Sequence, residues 1–404
     1  MELDFGPEAA QFRGSIREWI DENTPAGMAE LTDWTATGMT GGYDVNADAY
    51  ASPLYAEWER RLLDAKLVCP RWPEKFGGRG LTALQFAIFA EELHRARLPR
   101  VVRGFGENMV GPSIMAHGTP EQQAHFLPKI ISAEHVYCQG FSEPSNGSDL
   151  AGVQTKGVVD GDEIVINGQK LWTSGFRRAN MIFTLCRTNP DAPKHRGLSY
   201  VLVPMKDNHI DARAVRQMTG AAQFGEEFFD GARAPLFNVI GGIDNGWRVA
   251  MTTLGFERGG NASTAHLRYE KQFWELVDLA RKVGRERDPL VRQNLAWAYT
   301  HVQIMRFSGL RMLAQLAEGK DPGPEASTSK LFWSEYQKRL GEIAADLRGA
   351  PGLIRPEGDG YPIDAWQEVF LASRAGTIFS GTSEIQRNII AERALGLPRE
   401  AVKA

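Results

Sequence analysis

A mainly α-helical chain interrupted by one central β domain is the fold this sequence predicts, from three observations. Apolar residues recur at helical spacing through the first third of the chain. From about residue 136 the texture changes to short β-branched runs punctuated by Asp-Gly and Asn-Gly pairs, which are hairpin signals. After "GGIDNGW" the helical period returns and lasts to the end. The expected division is a helical domain over 1–135, a β domain over 136–240 and a second helical domain over 241–404.

The elements follow in order. "EAAQFRGSIREWIDEN" places Phe12, Ile16, Trp19 and Ile20 on one helical face and stops before Pro25. Residues 26–50 carry Gly, Thr and Asp without periodicity and read as a loop. "SPLYAEWERRLLDAKLV" and "LTALQFAIFAEELHRA" are helical again, separated by the turn-rich "PRWPEKFGGRG". "TPEQQAHFLPKI" starts a helix at Thr119, with Pro120 in the first helical position. In the β domain, "TKGVVDGDEIVINGQKLWTSG" contains hairpin turns at Asp-Gly and at Asn167-Gly168, and "MIFTLCRT", "LSYVLVPM" and "EEFFDGARAP" supply further strands. "WRVAMTTLGFERGGNASTAHLRYEKQFWELVDLARKVG" is one long helix or a pair broken near Gly259-Gly260. "DPLVRQNLAWAYTHVQIMRFSGLRMLAQLAEG" and "STSKLFWSEYQKRLGEIAADLRGA" are two more. No internal repeat or low-complexity segment is present.

The bulk numbers exclude several function classes. A chain of 404 residues has ample length to bury a core, and 43% hydrophobic with 24% charged residues is ordinary for a soluble protein. A net charge of -4 gives no electrostatic reason to bind nucleic acid or an acidic membrane. The three cysteines, Cys69, Cys138 and Cys186, are too far apart for a metal site and odd in number for a disulfide framework. "MELDFGPEAAQF" lacks the basic and apolar regions of a signal peptide, and no apolar run approaches the roughly 18 residues of a membrane span. The expectation is a cytoplasmic protein with no metal.

Three stretches carry chemistry. "YCQGFSEPSNGSDL" is a loop entering the β domain, whose backbone donors and Ser142 and Ser148 hydroxyls suit phosphate or a heteroaromatic edge, although a capped connecting loop reads the same way. In "NGQKLWTSG", Trp172 and Ser174 stand two residues apart on a strand and hence on one face, offering an indole to stack on a flat ring and a hydroxyl for its edge. The competing reading is a Trp at a sandwich interface. "IFSGTSEIQRN" opens a helix with small hydroxyl residues and a glycine, which suits an anionic ligand.

Together with "RWPEKFGGRG", "HGTPEQQAHFLPKI", "DGDEIVINGQKLWTSG" and "GWRVAMTTLGFERG", these stretches in this order resemble the acyl-CoA dehydrogenase family over nearly the whole chain. The resemblance implies an N-terminal helical domain, a middle β-barrel or sandwich and a C-terminal four-helix bundle. It implies non-covalent FAD and an acyl-CoA substrate lying against the flavin. By that analogy Gln139, Phe141, Ser142, Ser148, Trp172 and Ser174 line the flavin, and Thr382 and Glu384 contact its ribose or pyrophosphate side. An electron-transfer flavoprotein is the acceptor the family implies.

Dehydrogenating a thioester requires a carboxylate to remove the α-proton while a β-hydride leaves. Most family members place a Glu immediately before the "GT" of the last motif, and here that position is Ser380. Branches resembling isovaleryl-, long-chain and some steroid side-chain enzymes carry the Glu on a helix of the C-terminal bundle, directly before an Arg. "LGFERGG" matches that pattern, so Glu257 is the expected base, with Arg258 toward the CoA or carbonyl side and Phe379 and Ser380 against the acyl group. Two family features are missing. "RYEKQFWELVD" lacks an Arg-x-x-Phe-Gly segment, and "LIRPEGDGYP" replaces a Gln-x-x-Gly-Gly segment, both of which serve a neighbouring subunit's FAD. The expectation is an oligomer, tetramer or dimer, completed by a homologous second chain or by altered contacts in a homo-oligomer. A two-component flavin monooxygenase on the same fold, or a subunit that only supports a catalytic partner, stays open as an alternative.

Overall fold

The computed structural model describes residues 5–32, 47–259, 264–317, 326–354 and 363–398. In chain order the helices are α1 (Pro7–Asn23), α2 (Ala47–Tyr50), α3 (Pro53–Asp64), α4 (Ala83–Arg95), α5 (Gly111–His117) and α6 (Pro120–Ile131). The strands follow as β1 (Tyr137–Gly140), β2 (Lys156–Asp160), β3 (Glu163–Ser174), β4 (Met181–Arg187), β5 (Leu198–Pro204), β6 (Ile210–Val215), β7 (Phe224–Pro235) and β8 (Val239–Ile240). The chain then returns to helix in α7 (Gly246–Gly259), α8 (Ala265–Lys282), α9 (Pro289–Ala317), α10 (Ala326–Arg348), α11 (Ala365–Gly376) and α12 (Ser383–Ile389). The helical, sheet, helical order is the one the periodicity predicts.

Contacts group the chain into two compact units, one of Met1–Ala65, Gly80–Val101 and Asn261–Ala404, the other of Lys66–Arg79 and Val102–Gly260. The first joins helices from both ends of the sequence. α8, α9 and α10 share a core of Tyr269, Phe273, Leu276, Val302, Tyr336 and Leu340, with Trp297 stacked on Tyr336 at 5.5 Å between ring centroids. Against α9 lies α4, which also packs on α1. Trp58 of α3 is fully buried in this unit, and its indole donates to the Pro99 carbonyl at 3.0 Å. The interface of α1 and α4 is fixed by charge. Glu92, 2% exposed at its side chain, accepts from Arg13 and Arg17 of α1 and from Arg95 on its own helix at 2.7–3.0 Å. Burial opposes its ionisation, but the hydrogen bonds from Arg17, Arg95 and Arg13 overcome that and hold the carboxyl down at about 2.

The second unit is built on one eight-stranded sheet in the order β6-β7-β3-β2-β4-β5-β8, with β1 paired to β4 in parallel. An apolar core cluster lies against it, made by Ile164, Ile166, Ile182, Val201, Val203 and Phe229. The β2–β3 hairpin turns at Gly161-Asp162, where Gly161 takes φ +66°. The second expected turn, at Asn167-Gly168, is not a turn. β3 runs straight through it, and the local irregularity is a bulge in β7, where Gly231 at φ +78° is the extra residue and donates to Asn167 Oδ1 at 2.8 Å. Gly168 serves a close approach instead, since a Cβ there would meet Thr155 Cα at 2.7 Å.

Three further differences from the sequence reading have local causes. The stretch read as a loop over 26–50 ends in the single helical turn α2, while residues 33–46 lie outside the described residues. α5 and the π-helical turn Gly106–Val110 before it escaped the periodicity because Gly106, Gly111 and Pro112 read as punctuation. Gly111 makes room for Trp72, whose indole donates to the Glu107 carbonyl at 3.0 Å and whose ring would meet a Cβ on Gly111 at 2.2 Å, while Gly106 makes room for Ile130. α11 is a further helix that the periodicity does not reveal, though Asp364 and Gln367 form a full capping box at its start.

Because Glu92 ionises more readily in the folded than in the unfolded chain, its stabilisation is present above its ordinary pKa of 4.5 and is lost as pH falls toward about 2. Glu92→Gln is therefore expected to lower stability by about 2 kcal/mol at neutral pH, with the deficit shrinking in acid; denaturant unfolding of both proteins at two pH values measures it. An equal deficit at both pH values would sink the charge argument.

Candidate active site

The loop that follows β1 is held to the sheet by a buried ion pair. Lys170, on β3, is completely buried, and its ammonium donates to Glu143 Oε1 at 2.9 Å, to the Leu185 carbonyl at 2.8 Å and to the Phe141 carbonyl at 3.3 Å. The Glu143 carboxylate also accepts from the amides of Gln154 at 2.6 Å and Thr155 at 2.9 Å. Burial resists both charges and draws the Lys170 amine below its ordinary value, while Lys170 and the two amides keep the Glu143 carboxyl below its own despite burial. Backbone hydrogen bonds between Glu143 and Asn146 close the turn in the loop.

This anchor brings several of the expected residues together. Gln139 sits on β1 opposite Phe183, and the buried ring of Phe141 meets Phe183 edge-on at 5.4 Å. The Ser142 carbonyl accepts from the Leu171 amide at 2.9 Å, which stitches the loop to β3 just before Trp172. Ser148 lies beyond the Glu143–Asn146 turn and is exposed.

Trp172 does not follow plain alternation. Lys170 pairs with Glu227 and Thr173 with Gly225, and Lys170, Thr173, Gly225 and Glu227 all point into the buried side. Trp172 is the extra residue between them, at φ +65°, a conformation uncommon for a bulky aromatic. Its indole is 52% exposed and meets Phe224 edge-on at 5.9 Å. Ser174 closes β3 opposite Phe224 and is half-buried. Without the bulge, alternation would put Lys170 on the same face as Trp172 and Ser174. With it, the ammonium stays inside and the indole stays outside. A half-exposed indole in a strained backbone conformation, with hydroxyls at Ser174 and Ser142, is a set suited to a flat heteroaromatic ring with polar edges.

α7 begins at Gly246, where a Cβ would meet the Ser199 carbonyl carbon at 2.4 Å, so only glycine lets the helix start against β5. Val249, Ala250 and Thr253 are buried along it, and Thr253 Oγ1 lies 2.7 Å from Ser113 Oγ of α5. One residue back, Thr252 Oγ1 lies 2.8 Å from His117 Nε2. Positions 257 and 258 fall in the last turn of α7, and the side chains of Glu257 and Arg258 lie outside the described residues.

Phe379, Ser380, Thr382 and Glu384 belong to the other unit. Ser380 at φ +52° and Gly381 at φ +87° are consecutive left-handed residues, a conformation that favours glycine and that Ser380 adopts with a side chain. The bend is held from three sides: Gln386 Nε2 donates to the Ser380 carbonyl at 2.9 Å, Lys330 Nζ to the Gly381 carbonyl at 2.7 Å, and Ser383 Oγ to Glu335 at 2.7 Å. Thr382 caps α12 by accepting from the Ile385 amide at 3.2 Å, and Glu384 is exposed in its first turn. Phe379 is partly exposed, with its ring 6.1 Å from Trp333. The Arg-x-x-Phe-Gly position falls in α8, while 355–362 of "LIRPEGDGYP" lie outside the described residues.

The residues that sequence reasoning missed are the inward ones, Glu143, Lys170, Thr173 and Glu227. Lys170, on a strand whose inward row begins with Ile164 and Ile166, is the one available signal. Lys170→Met leaves the Glu143 carboxylate buried without its cation, and a loss of about 3–5 kcal/mol is expected in denaturant unfolding. Adding Glu143→Leu to that variant should restore part of the loss, because the unpaired charge goes with it.

The comparisons with known proteins agree along the whole chain. Residues 6–134 match the acyl-CoA dehydrogenase N-terminal domain, 138–231 the middle domain and 244–395 the C-terminal domain. The chain is 43% identical to the acyl-CoA dehydrogenase IpdE1 of Mycobacterium tuberculosis, covering 98% of this chain and 99% of that one. It is 41% identical to IpdE1 of Mycolicibacterium smegmatis, over 97% and 99%. Among solved structures, the Tcur3481-Tcur3483 steroid ACAD superimposes with a TM-score of 0.79 at 29% identity, covering 99% of this chain and 100% of that one. The ChsE4-ChsE5 complex from Mycobacterium tuberculosis gives 0.78 at 26% identity, over 99% and 100%. No described helix is long and apolar enough to cross a membrane. The chain therefore belongs to the acyl-CoA dehydrogenase family and is an FAD-dependent oxidoreductase of that family.

Proposed function

We propose that the chain catalyses α,β-dehydrogenation of an acyl-CoA thioester to the trans-2-enoyl-CoA, with Glu257 as the base. The observation that carries this reading is the exchange of positions: Ser380 stands, in a left-handed bend, where most of the family has its carboxylate, and the regular helix α7 carries Glu257 followed by Arg258. FAD, when bound, supplies the acceptor for the β-hydride. Trp172 offers the stacking face and Ser174 the edge donor, with Gln139, Phe141, Ser142 and Ser148 completing that wall from the loop fixed by Glu143 and Lys170. Thr382 and Glu384 serve the ribose and pyrophosphate side, and Phe379 and Ser380 border the acyl group. Glu257 takes the α-proton, and Arg258 steadies the thioester carbonyl or the CoA. A serine at 380 leaves space beside the acyl chain, which supports a bulky substrate. The fold shared with a protein described as a steroid ACAD supports a sterol-derived thioester within that class.

The same two structural relatives are pairs of different chains, Tcur3481 with Tcur3483 and ChsE4 with ChsE5. Their likeness supports an unequal assembly in which a homologous partner supplies the FAD contacts absent from "RYEKQFWELVD" and "LIRPEGDGYP". An electron-transfer flavoprotein is the acceptor that fits such an enzyme, and the cytoplasm is where it would work.

Glu257→Gln with FAD retained should slow acyl-CoA-dependent flavin bleaching by about 100-fold or more, the usual worth of a positioned base. Bleaching at the wild-type rate would remove Glu257 from the mechanism. For the assembly, the chain expressed alone should carry well under one FAD per subunit and gain it on co-expression with a homologous chain; full occupancy in a homotetramer would sink the unequal pair.

A further inference from the structure

Beneath the bulge that carries Trp172 lies a buried carboxyl that the mechanism above does not use. Glu227 of β7 is completely buried, points inward and stands opposite Lys170 in the strand register. The hydroxyl of Thr173 bonds to its Oε2, while Oε1 is buried with no hydrogen-bond partner. The carboxyl fills the space over Gly225, the residue paired with Thr173, where a Cβ would lie 2.0 Å from Oε1. The Thr173–Gly225 pair is the first regular one beyond Trp172, so the carboxyl braces the strand where it leaves the bulge.

We propose that Glu227 is a positioning residue which, through the Thr173 hydroxyl, sets the placement of the Trp172–Ser174 segment and couples that segment to pH. The proposal rests on the reading that this segment faces the flavin.

The surrounding charges explain why the carboxyl is poised. The inward cation facing it from β3 is Lys170, already committed to Glu143, and Glu163 at the far end of β3 is bound to Arg233. From β6, Asp211 and Arg213 pair with each other at the surface, and Ala212 is the residue opposite Glu227. β5 carries Tyr200 as its ionisable side chain, β1 contributes the buried Cys138 thiol, and Glu226 adjoins on β7 itself. Nothing cationic remains for Glu227 among the described residues. Burial is the main cause that pushes its carboxyl from 4.5 up to about 7, with Glu226 adding to the rise against the Thr173 hydrogen bond. A raised folded-state value means the fold holds an extra proton between 4.5 and about 7, so stability falls as pH rises through that window and stays lower above it. Loss of that proton to solvent leaves a buried carboxylate whose Oε1 has no donor, and Thr173 is the contact through which the chain responds.

The test uses the FAD-loaded full chain, with any partner that co-purifies, titrated from about pH 5 to about pH 9 while flavin absorbance and the unfolding midpoint are recorded. The wild type should show a fall in midpoint that is complete by about pH 7 and a flavin absorbance shift centred near that same value. Glu227→Gln should lose both, and Thr173→Val should keep the fall in midpoint but lose the flavin shift. A flavin shift that persists at the wild-type pH in Glu227→Gln or in Thr173→Val overturns the proposal, as does a wild type with no shift. If Glu227→Gln does not fold, Thr173→Val decides alone. Trp172→Ala separates the two layers: an unchanged flavin spectrum in that variant removes the flavin reading and the proposal with it. A changed spectrum together with an unaltered Glu227→Gln titration overturns only the role of Glu227.

Discussion

The candidate site depends on one ammonium group buried where no water reaches it. Lys170 is tied at once to the Glu143 carboxylate, to the Phe141 carbonyl and to the Leu185 carbonyl. A charge with no exposure is tolerated only when its partners are complete, since leaving either charge unpaired costs several kcal/mol. That penalty turns an otherwise ordinary loop into a fixed one. Phe141 and Ser142 can sit in only one place relative to β3, because Phe141 and Glu143 on either side of the serine are claimed by the same ammonium. The pair is better understood as a register device than as a source of net stability.

Keeping Lys170 inside has a cost two residues further on. A strand that alternates would carry Trp172 inward with it, so the chain inserts an extra residue and accepts a left-handed backbone at a tryptophan. Ser380, also left-handed, lies in the other unit at the position where most of the family keeps its acid. Both strained positions coincide with residues the sequence singles out for chemistry. Rigid neighbours make such strain sustainable: the Lys170 cluster and the Phe224 edge at Trp172, and the hydrogen bonds from Gln386 and Lys330 to the bend at 380–381.

Much of the fold was legible because its signals are local. Ile16 and Ile20 of α1 are buried as their spacing required, Thr119 caps α6 in a capping box, and the runs read as strands do form one sheet. The failures are also informative. Asn167-Gly168 carries the composition of a turn but serves as a close-approach point inside β3, because Thr155 packs where a Cβ would stand. α5 hides behind glycines that admit Trp72 at Gly111 and Ile130 at Gly106, partners distant in sequence. At the site, motif and alternation single out Trp172 and Ser174, but the bulge, and not the period of two, separates them from Lys170.

By itself the sequence determined the order of helical and β segments, the helix caps, the likeness to one enzyme family and the absence of a carboxylate at position 380. These follow from spacing and residue type, which act over a few residues or within one motif. Only the tertiary structure decided which side chains face inward, that the cation on β3 answers the carboxylate in the loop, and that Glu227 is left inside without a cation of its own. Burial and partnership are made by segments far apart in the chain, and a sequence states neither distance nor dielectric.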